Sequence, residues 1–97
     1  MPEERILSLH PDGKKGVHIL KRRYDLVADT ILQLMREHEG AISFSTLVRE
    51  GKARLKTKLD GSPAWYLTTV KLDLEARGII QRLDAPGPQV LQLVEKP

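Results

Sequence analysis

The stretch SPAWYLTTVKLDLEARGII, Ser62 to Ile80, decides how the fold is read. Its start has the marks of a helix N-terminus. Ser62 suits the cap, where a hydroxyl accepts from the free backbone N–H groups of the first turn, and Pro63 takes the first helical position, where its missing N–H costs no bond. Its end has the marks of a stop. Arg77 favours the negative end of the helix dipole, Gly78 can adopt the left-handed conformation that ends a helix, and Ile79 and Ile80 open a strand. Leu67, Val70 and Leu74 share one helical face and are the expected core side; Trp65, Leu72 and Ala76 gather nearly opposite, with Thr69 beside them. A helix that is apolar on opposed faces is normally interior, so both sides are expected to be covered. Lys71 and Glu75, one turn apart, read as a solvated ion pair, and Asp73 falls near the outward face.

Outward from this helix, the segment after it, IIQRLDAPGPQVLQLVE, reads as a hairpin with β-type runs on either side of residues 84–88. Before it, residues 21–39 form an amphipathic helix: Leu20, Tyr24, Val27, Ala28, Ile31, Leu34, Met35 and His38 fall on one face at spacings of three and four, and Gly40 is the expected C-cap. In AISFSTLVREG, Ile42 begins a short strand, Ser43 caps a second helix, and Phe44, Leu47 and Val48 give that helix an apolar face. The second helix either stops near Gly51 or continues through Ala53 to Leu55. Residues 1–20 are an arm, extended or hairpin, with two short apolar runs around a Pro-Asp-Gly turn; residues 21–97 are the domain it precedes.

Ninety-seven residues make one small domain. With aromatic residues at 4%, its core must be built from Leu, Ile and Val. The absence of cysteine excludes a disulfide framework and a cysteine-based zinc site. His10, His18 and His38 show no metal-ligand spacing, and no cofactor is expected. The sequence has no Gly-rich phosphate loop, carboxylate pair or nucleophile–histidine set, and PDGKKG lacks the Gly-Lys-Ser/Thr ending of a Walker motif, so the expectation is a protein that is not an enzyme. No apolar run approaches the roughly 18 residues of a membrane span, and the N-terminus does not read as a secretory signal; a cytoplasmic location is expected.

The net charge of +3 is unevenly spread. Lys14, Lys15, Lys21, Arg22 and Arg23 fall in residues 14–23 with no acid, and Arg49, Lys52, Arg54, Lys56 and Lys58 fall in residues 49–58 against Glu50 alone. Either group suits a phosphate-bearing partner or a plain solvated surface.

The order helix, short strand, short helix, longer helix, hairpin resembles the winged-helix variety of the helix-turn-helix fold over about residues 21–95. LDLEARGII is similar to the leucine-x-leucine-glutamate-x-x-glycine-isoleucine ending common at the third helix and first wing strand of that family. AISFSTLVRE fits its strand and second helix, and AWYLTTVKLDLEARG resembles small bacterial proteins with no assigned function. The fold implied is α+β: a three-helix winged-helix domain with a C-terminal hairpin wing and an N-terminal arm. The resemblance implies duplex DNA as a partner, with the third helix in the major groove and the wing on the backbone. This chain departs from that pattern: Trp65 and Leu72 occupy the side that would meet DNA, the wing tip has no basic residue, and Arg82 is the hairpin's cation.

Two functions follow as expectations. The first is a small DNA-binding regulator held mainly by electrostatic backbone contacts, through Lys52, Arg54, Lys56, Lys58, Lys21, Arg22, Arg23 and Arg82, with Tyr66 and Thr69 on the third helix. The alternative is a protein-interaction or homodimer module, in which Trp65 and Leu72 are covered by Ile6, Leu7, Leu9, Val17 and Ile19, from the chain's own arm or from an exchanged arm in a two-fold dimer.

Overall fold

The computed structural model describes residues 4–83 and 86–94. The described residues form three helices and two small antiparallel sheets, an α+β architecture. Helix α1 (Lys21–Glu37) buries Tyr24, Val27, Ala28, Ile31, Leu34 and Met35 of the face that the three-and-four spacing marks; Leu20 and His38 fall just outside the helix at its two ends, and His38 is exposed. Its stop differs by one position from expectation. Glu39 takes the left-handed conformation, with φ 62°, and Gly40 follows with φ 92°. The Glu39 N–H donates to the Arg36 carbonyl at 3.1 Å and the Gly40 N–H to the Met35 carbonyl at 2.7 Å, the paired bonds of a Schellman ending.

Strand β3 (Ala41–Ser43) leads directly into α2 (Phe44–Leu55), whose N-terminus is capped by Ser43 accepting from the Thr46 N–H. Helix α2 runs through Gly51, which serves packing. A Cβ there would lie 2.8 Å from a Leu67 methyl carbon, so glycine permits the close approach of α2 to helix α3 (Pro63–Ala76). On α3, Ser62 accepts from the Trp65 N–H, Pro63 opens the helix, and Gly78 ends it with φ 75°.

Strands β4 (Ile80–Arg82) and β5 (Val90–Leu93) pair antiparallel, Ile80 with Leu93 and Arg82 with Leu91. Part of the expected hairpin loop, residues 84–85, lies outside the described residues. β5 also pairs with β3, Ile42 opposite Leu91, so the sheet order is β3-β5-β4. Leu67, Val70 and Leu74 of α3 face the common core with Ile31, Leu34, Leu47, Leu55, Ile80 and Leu91, as the helical face predicts.

The arm is a hairpin. β1 (Arg5–Leu7) pairs antiparallel with β2 (His18–Leu20), Ile6 opposite Ile19. Ile19 belongs to the buried core and Ile6 packs against it. Ile19 is therefore not available as an interface residue while the arm is docked in this way, which corrects one expectation. Leu7, Leu9 and Val17 remain exposed.

Candidate functional site

The two basic segments, far apart in sequence, meet in space. Arg22 and Arg23 at the start of α1, and Lys56 and Lys58 in the connection after α2, line one recess of about 240 Å³ together with Asp60. The placement follows from the helix pair: α2 packs against α1 and delivers its C-terminal connection to the level where α1 begins. Both arginines also make contacts within the protein. Arg23 Nη1 donates to the Tyr66 hydroxyl at 3.1 Å. Tyr66 in turn meets Trp65 edge to face, with ring centroids 5.0 Å apart. A run of contacts thus joins the cationic recess to the indole at the first turn of α3.

Trp65 is 47% exposed, which overturns the expectation that the chain's own arm covers it. The arm lies against the other end of α3: the Leu9 N–H donates to Asp73, and Arg77 reaches the Leu7 carbonyl at 3.4 Å. Leu72 is half-buried, and so is Thr69.

The remaining cations lie elsewhere. Arg54 makes a two-pronged ion pair with Glu37, at 2.5 and 2.9 Å, that clips α2 to α1; the guanidinium lowers the Glu37 carboxyl below its ordinary range. Lys21 is paired with Asp25 at 2.7 Å, and this bond raises its ammonium above the usual value. Lys52 lies on a different groove, beside Phe44 and Val48. Arg82 is half-exposed on β4, 3.8 Å from Glu75.

The structure also holds polar residues that sequence spacing did not single out as central. Asp73 is fully buried, not outward-facing. Its carboxylate accepts from the Leu9 N–H at 2.8 Å, from Arg77 Nε at 2.8 Å and, in a very short bond, from the Tyr24 hydroxyl. One side chain therefore ties together the arm, α1 and α3. Burial first, and then the bond to Asp73, push the Tyr24 phenol well above its ordinary value; the same carboxylate raises Arg77. Lys71 and Glu75 do form the expected ion pair, at 3.0 Å, but their side chains are 5% and 6% exposed, so the pair is buried, not solvated. Lys71 Nζ also donates to Gln89 Oε1 at 2.8 Å and stands 4.9 Å from the Phe44 ring centre. Glu75 Oε2, although close to Lys71, lacks a well-directed hydrogen bond. The polar-surface reading failed because helical periodicity gives a residue's direction, not what other elements bring to meet it.

Among the described residues, no helix is long and apolar enough to cross a membrane. No curated protein matches the chain, and no solved structure does. One protein-family model, described as "Family of unknown function (DUF6958)", matches residues 5–91, a span that takes in the arm hairpin, the three helices, the cationic recess and the first half of β5. The chain belongs to this family of unknown function.

Proposed function

We propose that the protein is a winged-helix domain that binds duplex nucleic acid through the phosphate backbone, with little sequence selectivity. The observation that carries this reading is the convergence of Arg22, Arg23, Lys56 and Lys58 on one recess. Cations that line a common recess and adjoin an aromatic pair whose tryptophan is exposed suit a phosphate-bearing chain: the cations neutralise phosphates and release counterions, and an aromatic face offers a platform for sugar or base. The winged-helix part draws on the element order and on the sheet order β3-β5-β4, which brings the C-terminal hairpin against the strand between α1 and α2. Weak selectivity follows from the first turn of α3, where Trp65 is the exposed residue and no arginine is present to read a guanine edge.

The test is a salt-titrated binding assay with a duplex of arbitrary sequence, comparing the wild type with Lys56→Gln/Lys58→Gln. If each lysine meets one phosphate, the double substitution reduces the slope of log K against log salt by about 2. An unchanged slope removes the recess from the interface, and no binding at low salt rejects the reading.

A second reading, a protein-interaction or homodimer surface, draws on the exposed Leu7, Leu9 and Val17 of the arm. Sedimentation across a concentration series tests it. A monomer throughout rejects the homodimer, and a dimer dissociated by Leu7→Ser/Val17→Ser supports it.

A further inference from the structure

A larger concavity lies apart from the cationic recess. It is a groove of about 630 Å³ between the N-terminal half of α2 and the residues leading into β5. Phe44, Val48 and Pro88 give it an apolar lining, and Arg49 and Lys52 stand on the same stretch of α2. The two walls are fastened to each other: the Phe44 N–H donates to the Gln89 carbonyl at 2.8 Å. Beneath them the buried Lys71 binds the Gln89 side chain and stands near the Phe44 ring. The groove is therefore already formed, not opened by a ligand.

We propose that this groove binds a small organic carboxylate with an apolar body. Its volume falls in the range of about 300–1,000 Å³ typical of small-molecule sites, which combine an apolar lining with a few orienting polar groups. Charge complementarity selects the anion. Arg49 and Lys52 are both cationic, and a guanidinium matches a carboxylate in two-pronged geometry. The nearby acids are otherwise engaged: Glu50 bonds His38 at 3.1 Å and reaches Arg49 only at 3.9 Å, while Glu75 pairs with the buried Lys71. The apolar body covers Phe44, Val48 and Pro88. This also separates the groove from the recess, whose lining of Arg22, Arg23, Lys56, Lys58 and Asp60 suits a polar polyanion. The proposal does not depend on nucleic-acid binding.

The test uses two soluble probes with the same apolar body, 4-phenylbutyrate and 4-phenyl-1-butanol, titrated into ¹⁵N-labelled protein. Saturable amide shifts are expected at Ser45, Val48, Lys52 and Gln89, with the carboxylate binding about tenfold more tightly than the alcohol, the equivalent of one good charge-assisted bond. Arg49→Gln/Lys52→Gln brings the carboxylate down to the affinity of the alcohol and leaves the alcohol unchanged. Val48→Asp weakens both. Shifts that do not saturate, shifts centred elsewhere on the protein, or a carboxylate preference that survives Arg49→Gln/Lys52→Gln would each overturn the proposal.

Discussion

The two halves of α3 reverse the usual distribution of side chains. The N-terminal half exposes Trp65, the chain's one tryptophan, while the C-terminal half buries Asp73 completely and Lys71 and Glu75 almost completely. The difference comes from what surrounds each half. The later turns lie where the arm, α1 and the C-terminal hairpin meet, so each polar group there finds a partner: Asp73 with Leu9, Tyr24 and Arg77, and Lys71 with Gln89 and Glu75. In the first turn, Trp65 packs edge to face on its neighbour Tyr66, which accepts from Arg23 of α1, and the indole stays half in solvent. Polar groups in the one half hold the fold together, and apolar surface in the other is left exposed.

The largest effect is expected at Asp73. Asp73→Ala removes an acceptor shared by the arm, α1 and α3 and strands buried donors, at a cost of about 3–5 kcal/mol. Urea unfolding measures it, and a loss below about 1 kcal/mol would break the contrast between the two halves. At the buried ion pair, Lys71→Met alone should cost about 3 kcal/mol because it leaves Glu75 charged and buried, whereas Lys71→Met/Glu75→Leu should return to within about 1 kcal/mol of the wild type. A double-mutant cycle showing simple additivity would mean that the two side chains do not act as a pair.

A smaller effect is expected at the helix stop. Gly78 has open space around the position of a Cβ, so Gly78→Ala costs only the left-handed backbone, about 1–2 kcal/mol. Glu39 holds the equivalent place after α1, and Glu39→Gly should gain up to about 1 kcal/mol by the same argument, which sharpens it.

Alkaline pH probes the buried half through Tyr24. The phenol is raised above its unfolded value of about 10. The folded state keeps a proton that the unfolded chain releases, so this contribution is full below about pH 10 and is lost as pH rises toward the folded value. Tyr24→Phe should flatten that alkaline loss; an unchanged profile would remove Tyr24 as its source. The smallest change in stability belongs to the exposed half. Trp65→Ala should shift it by about 0.5 kcal/mol or less, with wild-type emission near that of a solvated indole, while weakening binding to duplex DNA. A blue-shifted emission or a large loss of stability would show that Trp65 is covered after all.

Local signals were legible in the sequence because their physics is local. Ser43, Ser62, Pro63 and Gly78 act within one turn of their own backbone, and the spacing of Tyr24, Val27, Ile31 and Leu34 identifies the core face of α1 without reference to other elements. The core side of α3 was legible for the same reason. The fate of its other side was not. Trp65 and Leu72 read as a second buried face, and Asp73 as a surface acid, because a helical wheel records direction and not occupancy. The extent of α2 was equally open, since Gly51 reads as a stop until Leu67 is seen to need the space its missing Cβ leaves. The candidate site shows the same division. Both basic segments are visible in the chain as separate runs. Only the packing of α2 on α1 brings Lys56 and Lys58 beside Arg22 and Arg23, and it diverts Arg54 to Glu37. Charge is a property of the residue, but its partner is set by which elements the hydrophobic core draws together.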